Sequence, residues 1–208
     1  MELYLSRSDI AHTILSRAAD AGDDLDPLYH IDTVTSLSKK TTTVSRILPS
    51  VASRPEFNGG KHSDIKKIAK SGQGLVEVAK IEWRQWKSSS IWFEEREWKA
   101  NEFMPNTGFM SGKRVFTGPD GHSYTWHSDT YLTVSTPDNP KLEIARFHEP
   151  ALFNWKKRYL NIVLEGLHMV DLIIATWVYV AILEQESNSS STPMAGAACA
   201  GSMGGSVC

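Results

Sequence analysis

Residues 168–183 read HMVDLIIATWVYVAIL, and a helix built from this run has no wet face. Such a helix must be enclosed by protein or by lipid. From Met169 to Leu183 it counts 15 residues. At about 1.5 Å per residue it extends roughly 22 Å, short of a hydrocarbon layer of about 30 Å. Asp171 shortens the uncharged part, and the flanking Glu165, Glu184 and Glu186 provide no Lys or Arg to anchor it at an interface. Enclosure by protein is therefore the expectation. A closed β-barrel has a lumen that must be filled. Ile173, Ile174, Trp177, Val178, Val180 and Ile182 would fill it, each contributing about 1.5–3 kcal/mol on burial. Their sum is comparable to the whole net stability of a typical domain.

What precedes the run reads as β-structure. Residues 3–5, 28–34 and 41–48 suit strands, while 10–19 reads as a helical turn or loop. Pro49, Pro55 and Asn58-Gly59-Gly60 mark 49–60 as a loop, and 63–70 suits a short helix. The clearest strand is 74–86, with Leu75, Glu77, Ala79, Ile81 and Trp83 expected on one face. Strands at 91–93, 114–117, 123–127, 131–135, 142–147 and 159–164 follow. Gly118-Pro119-Asp120-Gly121 and Pro137-Asp138-Asn139-Pro140 punctuate them as turns. Many short strands between turn signals predict a mainly β antiparallel sandwich or barrel. Gly166 breaks that pattern before the helix, placed at 168–184. Residues 185–208 are rich in Ser, Gly and Ala and predict a disordered tail after a domain at 1–184.

A net charge of -2 argues against a nucleic-acid partner. Cys199 and Cys208 both fall in the tail, so the folded part has no disulfide framework, as suits a reducing compartment. The start, MELYLSRSDI, carries no secretory pattern. A cytoplasmic location, peripheral at a membrane if lipids are bound, is the expectation.

Three stretches carry a family resemblance. They are Arg114-x-Phe116-x-Gly118-x-Asp120-Gly121-x-x-Tyr124-x-Trp126, then Ile144-Ala145-Arg146-Phe147-His148, then Asp171-x-Ile173-x-x-Thr176-x-x-Tyr179-Val180. Together they resemble a fungal domain family of unknown function. That family is similar in turn to the Tubby C-terminal, LURP-one-related and phospholipid-scramblase domains. The likeness covers about 1–184 and implies a closed antiparallel barrel of about twelve strands around a central C-terminal hydrophobic helix. It implies no reaction, because fold does not carry function.

Catalytic and metal patterns are sparse. Seven histidines are scattered, with His122 and His127 expected on opposite faces of one strand, His148 before Glu149-Pro150 and His168 opening the helix. HExxH, paired CxxC, GxSxG and GxxxxGK[ST] are missing from the sequence. Asp20, Asp23, Asp24 and Asp26 form an acidic turn around Gly22 whose spacing differs from a calcium-binding EF-hand loop. The expectation is a non-enzymatic domain with no cofactor and no metal.

Two basic groups invite contact with anionic lipid. Lys66, Lys67 and Lys70, near Lys61 and His62, form one; Lys156, Lys157 and Arg158, between Trp155 and Tyr159, form the other. Each Lys or Arg close to an anionic leaflet contributes about 1 kcal/mol, and Trp155 and Tyr159 suit the headgroup level. Cys199 and Cys208 could be acylated, which with a basic patch would give the two signals that stable attachment needs. With Cys208 as the final residue, a CaaX prenylation site is not expected. The leading expectation is a barrel that docks on membrane lipids or partner proteins through its outer surface, since a lumen filled by its own helix leaves no room for a ligand. The alternative is a small-ligand-binding or scramblase-like barrel.

Overall fold

The computed structural model describes residues 1–18, 25–37, 39–52, 74–84, 88–108, 112–149 and 157–190. Its strands are β1 (Glu2–Leu5), β2 (His12–Ala18), β3 (Leu25–Thr35), β4 (Lys40–Ile47), β5 (Leu75–Trp83), β6 (Ser90–Phe93), β7 (Arg96–Lys99), β8 (Lys113–Thr117), β9 (Ser123–His127), β10 (Tyr131–Ser135), β11 (Leu142–His148) and β12 (Tyr159–Ile162). They form one antiparallel sheet in the order β7-β6-β5-β4-β3-β2-β1-β12-β11-β10-β9-β8. Short helices α1 (Pro49–Ala52) and α2 (Ala100–Phe103) interrupt it. A 3-10 turn (Leu164–Met169) leads into the long α3 (Val170–Ser190).

The apolar run lies inside the curled sheet. Ile173, Ile174, Trp177, Val178, Tyr179, Val180, Ala181 and Ile182 are all buried, and they pack with Leu3, Leu15, Ile31, Val44, Ile81, Trp126 and Leu160 from the strands. By length and composition the segment 164–189 could cross a membrane; here its apolar side chains face the concave side of the sheet.

Three bulges curve that sheet. The register of β2 on β3 slips at Leu28, next to Pro27, of β4 on β5 at Val78, and of β10 on β11 at Ile144. A bulge bends its strand and tightens the twist. It also gives Pro27 a place in a strand, since a proline cannot donate to a regular ladder. The slip at Val78 ends the simple alternation expected for β5: Glu77 is exposed while Ala79 and Ile81 are buried.

The sheet does not close into a barrel. β7 and β8 stand at its two ends without pairing. After β7 the chain turns through α2, and residues 105–107 come back onto the free edge of β8. Val115 N–H donates to the Pro105 carbonyl at 3.2 Å, and Thr107 N–H to the Lys113 carbonyl at 3.1 Å. Ring contacts cross the seam instead: Trp98 to Phe103 at 5.7 Å, Phe103 to Phe116 at 6.4 Å, and Phe116 to Tyr124 at 5.4 Å. Four aromatic side chains thus link the edges where a hydrogen-bond ladder would have closed the barrel.

Other differences are local. The segment expected as a helical turn or loop is strand β2 from His12 onward. Its Ile14 and Leu15 are both buried, so no polar face shows in the sequence. Leu15 joins the main core, while Ile14 lies with Ile47 and Val51 in a small second cluster beneath α1. That cluster also explains why 49–52 is helical. Strand β7 was unexpected. Helix α3 runs to Ser190, past its expected end at 184, and the Lys40 ammonium pairs with Glu186 in that extra length. The expected helix at 63–70 and the tail from 191 onward lie outside the described residues.

Candidate functional site

At the seam, around the N-terminal end of α3, the structure opens into a cleft of about 1020 Å³. Its floor is the turn into the helix, with Leu167, His168, Met169, Val170, Asp171 and Leu172. One wall is the β6–β7 hairpin with Trp98; the other is Phe103 and the end of β8, Thr117-Gly118-Pro119. Leu48 and Val76 come from the ends of β4 and β5.

Apolar side chains are exposed within the cleft. Leu48, Val76, Trp98 and Leu167 all line the cleft and are 36%, 50%, 39% and 40% exposed. Isolated exposed apolar side chains need no explanation, but several converging on one concavity mark a contact site.

Charged side chains surround this apolar floor in two states. Some are tied down. Arg46 pairs with the Asp171 carboxylate, which also accepts from the Tyr29 hydroxyl at 2.6 Å. Burial and then that bond to Asp171 push the Tyr29 hydroxyl well above the ordinary phenol range. This carboxylate in the first turn of α3 complements the helix dipole. Beyond Pro119, Asp120 approaches His168 at 3.8 Å. Burial works to raise the Asp120 carboxyl, but the Tyr124 hydroxyl at 2.7 Å and the His122 amide at 3.0 Å outweigh it and hold it low.

Others have no ion-pair partner among the described residues. These are Glu77 on β5 and Glu94, Glu95 and Arg96 at the tip of the hairpin. Glu94 and Glu95 are the two turn residues and have φ of 50° and 62°. A two-residue hairpin needs left-handed backbone at both places, usually supplied by Asn-Gly. Here two glutamates adopt it, at a cost of roughly 1–2 kcal/mol each.

The residues singled out from sequence lie elsewhere or outside the described residues. Lys66, Lys67, Lys70, Trp155, Lys156, Cys199 and Cys208 lie outside them, as do Asp20, Asp23 and Asp24. Asp26 approaches Arg17 at 3.8 Å. Arg158 donates to the Ser8 carbonyl at 2.9 Å and pairs with Glu149 at 3.3 Å. Tyr159 stacks on His148 at 4.5 Å and Tyr4 at 5.4 Å. Lys157 precedes β12, at the opposite end of the sheet from the seam cleft. Among the described residues no group of three or more His, Cys, Asp or Glu converges as a metal site. His127 instead stacks on Tyr131 at 4.4 Å and meets the Thr133 hydroxyl at 3.0 Å.

The cleft itself was missed. It depends on the sheet staying open, and the only sequence signal was Trp98 between charged residues, in a segment that lacked a turn marker.

A family model, described as a family of unknown function (DUF6593), matches residues 9–186. The chain belongs to this family. The match spans β2 through most of α3, so both walls of the cleft and its floor fall within the DUF6593 region. No curated protein and no solved structure matches the chain.

Proposed function

We propose that this DUF6593 domain is a non-enzymatic recognition module that docks on a partner protein through the seam cleft. The observation that carries this reading is the convergence of Leu48, Val76, Trp98 and Leu167, all exposed, on one concavity. A groove of this kind loses apolar surface to a partner at about 25 cal/mol per Å². The buried α3 supports an outward-facing role, because the interior is filled by the chain itself. Twelve antiparallel strands around a C-terminal helix are also what supports keeping the likeness to the Tubby and LURP-one-related folds; the open seam is the point of departure.

The test is a selection of random peptides displayed on phage against the full chain. Enriched sequences should bind the wild-type protein and lose at least tenfold in affinity for Leu167→Asp, whereas Tyr4→Ala on the far side should bind unchanged. No enrichment, or peptides indifferent to Leu167→Asp, would remove the cleft as the docking site.

A second reading rests on the opposite end of the sheet. There Leu37 and Val34 are fully or largely exposed at the β3–β4 turn, at the same end as Lys157. In this reading the end rests on an anionic membrane, with Leu37 inserted at the headgroup level. Flotation with phosphatidylserine vesicles at low salt tests it: Leu37→Asp should abolish co-flotation, and a protein that stays at the bottom of the gradient without that change rules it out.

A further inference from the structure

Resting on the cleft reading, we infer that the occupant is an extended protein segment with an apolar centre flanked by lysine or arginine. Three independent features of the cleft lead there. The first is its charge. Glu77, Glu94 and Glu95 ring the apolar floor, Arg96 is the one rim cation free of a described partner, and Arg46 is already neutralised by Asp171. A ligand bringing positive charge to this rim meets unpaired carboxylates; one bringing negative charge meets repulsion, and such complementarity sets partner choice more than raw affinity.

The second is the hairpin turn. Asn-Gly would close it without strain, yet glutamates occupy both left-handed positions, at φ 50° and 62°. Strain of this sort collects where the side chains serve a purpose. Here it projects two carboxylates over the mouth of the cleft, beside Trp98 and Phe93.

The third is the edge of β7. This strand pairs with β6 on one side only. Arg96 closes the hairpin opposite Phe93, Trp98 faces Ile91, and the Ala100 N–H donates to the Ser89 carbonyl at 2.7 Å. The Lys99 carbonyl opens α2, and by the antiparallel alternation the backbone N–H and C=O of Glu97 point to the other side of β7. Among the described residues no backbone hydrogen bond reaches them there. An extended segment can pair with that edge, place alternate side chains on Trp98 and Leu167, and set its flanking cations against Glu94 and Glu95.

The experiment uses the full chain and two fluorescein-labelled decapeptides with one Leu-Trp-Val centre, flanked by lysines in one and by glutamates in the other. Fluorescence anisotropy should show the lysine-flanked peptide binding about tenfold more tightly, the margin that two or three exposed ion pairs allow. The Glu94→Gln/Glu95→Gln protein should bring the two within about twofold, and raising the salt should do the same to wild type. Equal binding of both peptides, a preference that survives the Gln substitutions, or no binding of either overturns the inference. The phage selection separates this from the cleft reading: enriched peptides that need Leu167 but carry no basic residues would leave the cleft as a docking site and remove only the charge preference.

Discussion

The Trp126 indole N–H on β9 donates to the Thr176 hydroxyl on α3 at 2.9 Å, wholly buried, and ties the sheet to the helix it encloses. Thr176 in turn donates to the Leu172 carbonyl at 2.8 Å, so its own hydroxyl is satisfied within the helix. The two partners are therefore unequal. Removing the hydroxyl strands a buried N–H, whereas removing the indole strands nothing polar.

Thr176→Val should accordingly cost about 1–3 kcal/mol, the desolvation of an unpaired buried donor. On a Trp126→Phe background the same substitution should cost less by about 1 kcal/mol, because no donor remains to be stranded. Urea midpoints of the four proteins give the cycle. An equal cost in both backgrounds would show that the bond contributes nothing.

Trp177 presents the opposite case. It is fully buried against Phe147 at 5.1 Å, and its indole nitrogen has no hydrogen-bond partner among the described residues. Trp177→Phe therefore loses volume alone, while Trp177→Ala should cost about 3–5 kcal/mol. Trp177→Asp places an unpaired charge in the core and should yield no soluble protein. Thermal melts of the Phe and Ala variants rank them; a soluble, cooperatively melting Asp variant would show that the helix is not enclosed.

The buried helix was legible because a run apolar on every side admits few environments, and most strands were legible from alternation and turn residues. What escaped has physical causes. β2 buries Ile14 under α1 and Leu15 in the main core, so neither face is polar. β7 is short and wholly exposed, and its turn is Glu94-Glu95 instead of Asn-Gly. Without β7 the number and pairing of edge strands could not be known. The closed barrel was expected from the all-apolar helix as well as from the resemblance, whereas residues 105–107 occupy the edge of β8 that closure would require. Of the two basic groups only Lys157 and Arg158 fall among the described residues. Arg158 is engaged by Ser8 and Glu149, a pairing across distant segments that local sequence does not reveal.

The strained turn predicts a stability gain opposed to binding. Glycine adopts φ near 60° without the clash a Cβ makes. Glu95→Gly should raise stability by about 1 kcal/mol and the melting temperature by about 2–4 °C for a chain of this size. The same variant should weaken binding of the lysine-flanked peptide. A lower melting temperature would mean that Glu95 makes a stabilising contact that outweighs its backbone strain.

His127 gives the pH dependence a sign. Burial, followed by the nearby Lys113 and Lys141, lowers its pKa below the ordinary value of 6.5. Above pH 6.5 the imidazole is neutral in both folded and unfolded chains, and its contribution is fully present. As the pH falls below 6.5 the unfolded chain takes up its proton first, so stability is lost until the folded-state pKa is passed and is then level. The stacked Tyr131 and the Thr133 hydroxyl hold the ring where it is, so relief by rotation into solvent is opposed. Between pH 7.5 and 5.5 the melting temperature of the wild-type protein should therefore fall further than that of His127→Gln, whose amide can keep the bond to Thr133 without titrating. Parallel falls in the two proteins would show that His127 keeps its ordinary pKa in the folded chain.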